Sequence, residues 1–464
     1  MLFVSINHPD LLQTIPDRIN GIELRLDLFP EIDLKEIKNL LSFSTLPFLF
    51  TLRKSSHGGR FPGSEEEREG IIEQLLQLQP PFFDLEYDMR TTFLQMILQK
   101  YSKTKFILSY HNFQETPLDL EKVFSSMSSY PVYSYKLATL SHSTTDALRM
   151  LLFSRRHPRI SAICMGEKGE FARVLGPVCG NVIDYASTTD ERKTAPGQLS
   201  AHDLIHIYHY HTLNPKTALY GLIGNPVEHS RGHLYHNSIF ANRHFNAVYV
   251  KMIVEPEELS LFFSLARKIG FQGLSITMPL KEKVVSFLDR IDPKAKQIGA
   301  VNTLLIEKGE IFGLNTDAIG ALDAIETRGS VKGKKIVLLG AGGAARAVAF
   351  EAISRGAQVL ILNRTVPKAK EVAKEIGCRA GGLSDVPSDY QILINCSSDP
   401  MPIDPEKISL FRLVMDLVYV PKETSFLLKA KEVGCQIIYG EEMFFNQAGA
   451  QIKLWSSLLI KSFS

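Results

Sequence analysis

Along residues 1–200, short apolar runs recur at intervals of roughly 20–34 residues, most of them 20–27. They are 2–6 (LFVSI), 22–29 (IELRLDLF), 48–53 (FLFTLR), 82–87 (FFDLEY), 105–111 (KFILSYH), 132–139 (VYSYKLAT), 159–166 (RISAICMG) and 182–187 (VIDYAS). Between them lie stretches with helical character, such as EEEREGIIEQLLQLQ and STTDALRMLLFSRRH. Strand and helix in alternation specify a parallel sheet. Eight repeats predict an N-terminal (β/α)8 barrel, at the short end of that architecture's range of about 200 residues and more.

The polar residues inside these runs are not scattered. Arg25, Arg53, Glu86, His111 and Lys136 lie in, or at the C-terminal end of, different predicted strands. In such barrels that end carries the chemistry. In VYSYKLAT, alternation puts Ser134, Lys136 and Ala138 on one face and Tyr133, Tyr135 and Leu137 on the other. A buried lysine is costly unless it is paired or neutral, and two readings follow. Lys136 is a rim residue that snorkels to a loop carboxylate. Alternatively, desolvation and the cations Arg25 and Arg53 lower its pKa from about 10.4. The neutral amine then forms a Schiff base with a ketone, and His111, on the preceding strand, shuttles the proton.

The segment SAHDLIHIYHYHTLNPKTALYGLIGNP carries the chain out of the barrel. It predicts an exposed final helix, a short linker at 211–217, and a new strand from Thr217. His202 and His206, four apart, have helical metal-ligand spacing, with His209 and His211 following.

The second half has a different pattern. Residues 334–365 read as an apolar strand, the turn Gly340-Ala341-Gly342-Gly343-Ala344-Ala345, a helix and a second apolar strand. Glycines there let backbone approach a pyrophosphate at a helix N-terminus. The second strand ends in Asn363, Arg364 and Thr365 where an NAD site places a carboxylate. With no carboxylate to repel a 2′-phosphate and a guanidinium to fork onto it, NADP is the expected cofactor. Lys281, Asn302 and Asp317 fall near predicted strand ends upstream. A Lys–Asp pair serves either to protonate a ketone oxygen or as a surface ion pair of little energetic weight.

Composition narrows the field. The chain's 464 residues suggest two or three domains. Its 52 basic and 50 acidic side chains leave a net charge of +2, which gives no support to a nucleic-acid or membrane-surface role. The five cysteines are spread without a CxxC pair, which favours a reducing compartment. The N-terminus has no signal-peptide pattern, and no run approaches the ~18 apolar residues of a membrane span. A cytoplasmic protein acting on small molecules, with no obligate protein partner, is expected.

SYHNF, YKLA and TAPGQLS, together with IELRLDLF and TLRKSSHGG, resemble type I 3-dehydroquinate dehydratase. The resemblance implies that Lys136 forms the imine with the C3 ketone and that His111 moves the protons. It also implies that Glu23, Arg25, Arg53, Arg173, Thr194 and Gln198 bind substrate. His57 stands where many relatives have Glu, and Thr194 where they have Ser; His57 places a titratable base beside His111. GNPVEHS, TMPLK, AVNT, NTDAIG, GAGGAARA, NRT, DLVY and GEEMFFNQA resemble shikimate dehydrogenase. This second resemblance implies a catalytic pair, Lys281 and Asp317, and substrate contacts at Ser230, Thr277, Asn302, Tyr419 and Gln447. It places Gly440 and Met443 near the nicotinamide. The family's Ser-x-Ser-Pro is here Ser230-Arg231-Gly232-His233, which loses a hydroxyl and makes room for a bulkier substrate such as quinate.

The expected fold class is α/β: an N-terminal (β/α)8 barrel followed by a two-domain dehydrogenase with a Rossmann-type NADP-binding domain. Expected boundaries are 1–210 for the barrel, 218–323 for the substrate domain and 324–445 for the NADP-binding domain, with 446–464 as a returning C-terminal helix. The combined resemblance implies a bifunctional enzyme with no need of a metal. The alternatives are a quinate-directed dehydrogenase half, or one half serving only to bind. A cut near Asn214 is expected to give two folded fragments.

Overall fold

A computed structural model of the chain describes residues 1–461. It divides into two compact units. The first is Met1–Leu219 with Asn237–Val254 and Ser260–Gly270; the second is Tyr220–His236, Glu255–Leu259 and the chain from Phe271 onward.

The first unit contains eight parallel strands: β1 (Leu2–Ile6), β2 (Gly21–Arg25), β3 (Phe48–Thr51), β4 (Phe82–Glu86), β5 (Lys105–Asn112), β6 (Ser134–Leu140), β7 (Ile160–Met165) and β8 (Asp184–Ser187). Their order is β7-β6-β5-β4-β3-β2-β1-β8. Each falls on one of the eight apolar runs. The helices Glu65–Leu76 and Thr144–Arg156 each start from a capping box, Ser64 with Glu67 and Ser143 with Asp146. The interior is filled by residues such as Phe3, Leu49, Phe82, Ile107, Ile163 and Tyr185. One face assignment changes. β6 starts at Ser134, so alternation does not reach Tyr133, which packs edge-on against Phe82 of the interior at 5.6 Å.

The ring closes between β7 and β8 without a ladder of strand hydrogen bonds. Val182 N donates to Ile160 O (3.3 Å) and Ile183 N to Ser161 Oγ (2.9 Å). The Asn181 side chain accepts from Ala162 N (2.9 Å) and donates to Ala162 O (3.1 Å), taking the place of a strand neighbour.

The exit segment is not exposed as expected. The helix Ala201–His206 buries Ala201, Leu204 and Ile205; Tyr208 and Tyr210 are also buried, and Tyr210 Oη donates to Asp184 Oδ2 at 2.9 Å. A six-residue helix is too short to show its apolar face as a sequence period. The His202 and His206 rings lie 4.6 Å apart, but no metal-binding group of three or more ligating side chains occurs among the described residues.

The second unit has two sheets. In one, the strands Ala218–Gly224, Phe271–Ile276, Thr303–Glu307, Glu310–Leu314 and Arg290–Ile291 follow in that order, and Thr303–Glu307 runs antiparallel to both its neighbours. The other is parallel: Arg379–Gly381, Gln358–Leu362, Lys335–Leu339, Ile392–Asn395, Leu413–Asp416, Gln436–Ile438. Numbered from Lys335–Leu339, that order is 3-2-1-4-5-6, the doubly wound dinucleotide-binding arrangement. The terminal helix starts at Gly440, earlier than residue 446, and is described to Lys461; residues 462–464 lie outside the described part. It runs close against the helix Asp317–Glu326. A methyl group at Gly320 would lie 2.8 Å from both Cβ and backbone N of Gln447. Farther along, the chain's single tryptophan, Trp455, is fully buried over Gly273 and donates to Leu304 O at 3.1 Å. Among the described residues no helix is long and apolar enough to cross a membrane.

Candidate active sites

At the C-terminal ends of the barrel strands one cavity is lined by all eight expected residues: Glu23, Arg25, Arg53, His111, Lys136, Arg173, Thr194 and Gln198. Lys136 is buried. Its Nζ lies 3.2 Å from Asp84 Oδ2, 3.9 Å from Glu23 Oε1 and 4.0 Å above the centre of the Tyr185 ring. The cations expected to act on it are already paired. Arg25 forks onto Asp27 (3.0 and 2.8 Å), while Arg53 reaches Asp84 at 2.8 Å and Glu86 at 3.4 Å. Burial opposes the Arg53 charge, but Asp84 and Glu86 outweigh it and raise the pKa. Asp84 is held low: burial acts upward, and Arg53 and Lys136 outweigh it. The closest charged neighbours of the amine are thus carboxylates, which corrects the expectation that Arg25 and Arg53 act on it as bare cations. Glu23 is fixed in turn by Ser5 Oγ (2.5 Å) and Thr51 Oγ1 (2.8 Å).

His111 lies at the C-terminal end of β5, one residue before its last. Burial, then the charges of Arg53, Lys136, His57 and Arg25, push its pKa well below the ordinary imidazole value. It is therefore neutral at neutral pH and able to accept a proton. Its ring stacks on Phe113 (6.3 Å, 12°) and faces His57 at 5.8 Å. His57 Nε2 lies 3.2 Å from Asp88 Oδ2. The Nδ1 atoms of both histidines are buried without a hydrogen-bond partner among the described residues.

Arg173 differs from the other arginines. It is buried, donates to Pro196 O at 3.2 Å, and pairs with no carboxylate among the described residues. Burial lowers its pKa to about 10. The same loop supplies Thr194, whose N and Oγ1 both donate to Gln198 Oε1 (2.8 and 3.1 Å). Gly197, at φ 67°, passes so close to Gly166 O that a methyl group would sit 2.3 Å from it. A buried cation lacking an anion, beside rigid polar groups, is a receptor for a carboxylate. Sequence reasoning missed Asp84, Asp27 and Tyr185. A signal existed for Asp84, because period-2 alternation in FFDLEY places it on the same strand face as Glu86.

In the second unit, Lys281 Nζ lies 2.5 Å from Asp317 Oδ2, and Asp317 is buried, so the pair is not a surface ion pair. Asn302 Nδ2 donates to Asp317 Oδ1 (2.7 Å) and Thr316 Oγ1 (3.0 Å), and Asn302 Oδ1 accepts from Thr316 N (2.8 Å). Gln447 Oε1 lies 3.5 Å from Asn302 Nδ2. Ser230 Oγ accepts from Gly232 N at 3.2 Å. Tyr419 stacks on Phe444 at 5.2 Å and has its pKa raised by burial. Thr277, half-buried, donates through its backbone N to Ile223 O (3.0 Å). Gly440 is required by packing, since a methyl group would lie 2.5 Å from Val418 O; Met443 is buried in the core beside the parallel sheet. Thr316 and Gln451 were missed. Gln451 donates to Thr303 Oγ1 (2.9 Å) and lies one helical turn beyond Gln447.

The glycine turn fits a dinucleotide. Gly340 has φ 112°, and Gly342 stands directly before the helix Gly343–Ser354. No heavy atom lies within 4 Å of where a Gly342 Cβ would be, so the backbone there is open to close approach. Gly343 lies in the first helical turn with Ala344, and Ala345 is buried beneath it. At the end of the second strand, Asn363 Nδ2 donates to Thr365 O (3.1 Å), leaving Arg364 and Thr365 exposed. An exposed guanidinium in a segment without a carboxylate suits a 2′-phosphate.

Both halves of the chain match known families. The type I 3-dehydroquinase profile matches residues 7–215, the shikimate dehydrogenase substrate binding domain 222–304, and shikimate/quinate 5-dehydrogenase 323–409. A chloroplastic bifunctional 3-dehydroquinate dehydratase/shikimate dehydrogenase of Arabidopsis thaliana is 34% identical over 94% of this chain and 77% of its own length. The shikimate biosynthesis protein AroDE of Chlamydia pneumoniae is 34% identical over 94% of this chain and 90% of its own. A crystal structure of a shikimate dehydrogenase in complex with NADP+ superposes with a TM-score of 0.50 and 40% identity, over 53% of this chain and 92% of the other. The chain belongs to the family of bifunctional 3-dehydroquinate dehydratase/shikimate dehydrogenases.

Proposed function

We propose that the chain dehydrates 3-dehydroquinate to 3-dehydroshikimate in the barrel and reduces that product to shikimate, with NADPH, in the second unit. The observation that carries the first half is a buried lysine among carboxylates beside a histidine held neutral. Lys136 attacks the C3 ketone and expels water as the imine forms. His111 takes the C2 proton and delivers a proton to the departing C1 hydroxyl, and hydrolysis of the imine frees the product. Arg173 receives the substrate carboxylate, and Thr194 and Gln198 orient it.

In the second unit the cofactor, when bound over the glycine turn, supplies the hydride. Lys281 and Asp317 hold the proton for the ketone oxygen, Asn302 fixes Asp317, and Ser230, Thr277, Tyr419 and Gln447 bind substrate. Gly340, Gly342, Gly343, Ala344 and Ala345 form the turn that would hold the pyrophosphate, and Asn363, Arg364 and Thr365 would hold the 2′-phosphate. Quinate is the second reading, favoured by Gly232, where the family's second serine hydroxyl is absent; shikimate remains the first substrate. The barrel is assigned to 1–210, the substrate domain to 218–323 with the returning helix, and the NADP-binding domain to 324–445. The chain is placed in the cytoplasm, acting on small molecules.

Borohydride with dehydroquinate should label Lys136 and abolish dehydratase activity; labelling of another side chain, with turnover intact, refutes the barrel mechanism. In the dehydrogenase assay, NADP should be preferred over NAD by kcat/KM, and Arg364→Ala should collapse that ratio.

A further inference from the structure

The barrel contains a buried cation that does not line the cavity. Arg68, on the helix Glu65–Leu76, is 1% exposed. Its Nη1 donates to Glu86 Oε2 (2.7 Å) and Leu52 O (3.0 Å), and its Nε and Nη2 donate to Glu65 (3.1 and 2.6 Å). The other Glu86 oxygen accepts from Lys54 N (3.1 Å) and faces Arg53 Nη1 at 3.4 Å. Arg53 Nη2 reaches Asp84 Oδ1 at 2.8 Å, and Asp84 Oδ2 lies 3.2 Å from Lys136 Nζ. Ser109 braces the middle, accepting from Arg53 Nη1 (2.7 Å) and donating to Asp84 Oδ1 (2.6 Å). Charges thus alternate from the outer helix layer to the reacting amine: Arg68, Glu86, Arg53, Asp84, Lys136.

We propose that Arg68 is a positioning residue for the dehydratase site: by holding Glu86 it leaves Arg53 to Asp84, and so sets how firmly Asp84 grips the Lys136 ammonium. The inference rests on Lys136 being the imine-forming amine. The 2.8 Å and 3.4 Å separations show that Arg53 is engaged mainly by Asp84. Without Arg68, Glu86 is a buried carboxylate whose nearest remaining cation is Arg53. Drawing Arg53 toward Glu86 leaves Asp84 with Ser109 and the ammonium. The amine must lose its proton before it attacks, so a tighter grip moves imine formation to higher pH. Charged and titratable groups face Lys136 from four strands and the segment that follows β3: Glu23 on β2, Arg53 just after β3, Asp84 on β4, His111 on β5 and Tyr185 on β8. Of these, the ion-pair chain from Arg68 runs through Arg53 and Asp84.

The test is the pH dependence of borohydride trapping with dehydroquinate in the full-length protein. Labelling of Lys136 in the wild type establishes the underlying assignment, and its absence would sink that assignment rather than the role of Arg68. In Arg68→Met the midpoint of trapping should move to higher pH. Adding Glu86→Gln removes the competing carboxylate and should return the midpoint to the wild-type value, which a merely structural role would not do. Arg68→Lys keeps the charge but not the fork and should give a smaller rise; it carries the test alone if Arg68→Met does not fold. A wild-type midpoint in either folded single variant, or a rise that persists in Arg68→Met/Glu86→Gln, overturns the proposal.

Discussion

Arg173 and Arg53 are both buried arginines in the same cavity, yet they hold opposite positions. Arg53 is neutralised by Asp84 and Glu86, whereas Arg173 keeps its charge against burial with one carbonyl as its hydrogen-bond partner. An uncompensated buried charge destabilises the empty protein and is relieved when an anion binds. Arg173→Met should therefore raise the melting temperature of the ligand-free protein while raising KM for dehydroquinate about 10- to 100-fold, the worth of a hydrogen bond to a charged group. Calorimetry and steady-state kinetics on one preparation check both signs; a fall in melting temperature would show that the charge is compensated. The sequence exposed Arg173 by its motif but gave no hint of its isolation, because isolation depends on which side chains the other loops supply.

At the scale of elements, the terminal helix is held by close approaches that only small residues allow. Gly320 faces Gln447 N and Met443 O at distances that leave no room for a methyl group, and neither backbone atom can rotate away. Gly320→Ala should cost about 1–3 kcal/mol of stability, the usual price of overpacking. It should also lower dehydrogenase kcat/KM, because Gln447 and its neighbours move with the helix. A thermal melt with parallel kinetics decides it: unchanged values would mean the two helices separate freely. The barrel strands were legible because parallel strands buried on both faces read as near-continuous apolar runs. What each charged strand residue pairs with was not, since Lys136 and Asp84 lie on strands two apart in the sheet and 52 residues apart in the chain.

For the whole molecule, the compact units do not part at Asn214. The unit containing the barrel also takes in Asn237–Val254 and Ser260–Gly270. Thr144 Oγ1 donates to Ile253 O (2.5 Å), and Arg155 Nη1 to Ile269 O (2.9 Å). A fragment ending at residue 217 leaves those donors without their partners. It should unfold at lower urea concentration than the barrel in the intact chain, with trapping at Lys136 as the probe; equal midpoints would show that the later segments add nothing. The sequence marked the linker by its Asn-Pro but not this return of chain, because segments 237–254 and 260–270 carry no pattern that names their neighbour.

The closure between β7 and β8 is made largely by the Asn181 amide and the Ser161 hydroxyl. Arg173 follows one of these strands, and Thr194 and Gln198 follow the other. The cylinder is therefore a nearly complete collar whose clasp lies between Arg173 on one side and Thr194 with Gln198 on the other. Loosening at the clasp would spread these groups apart without breaking the ladders that join β2 through β6, on which Glu23, Asp84, His111 and Lys136 lie.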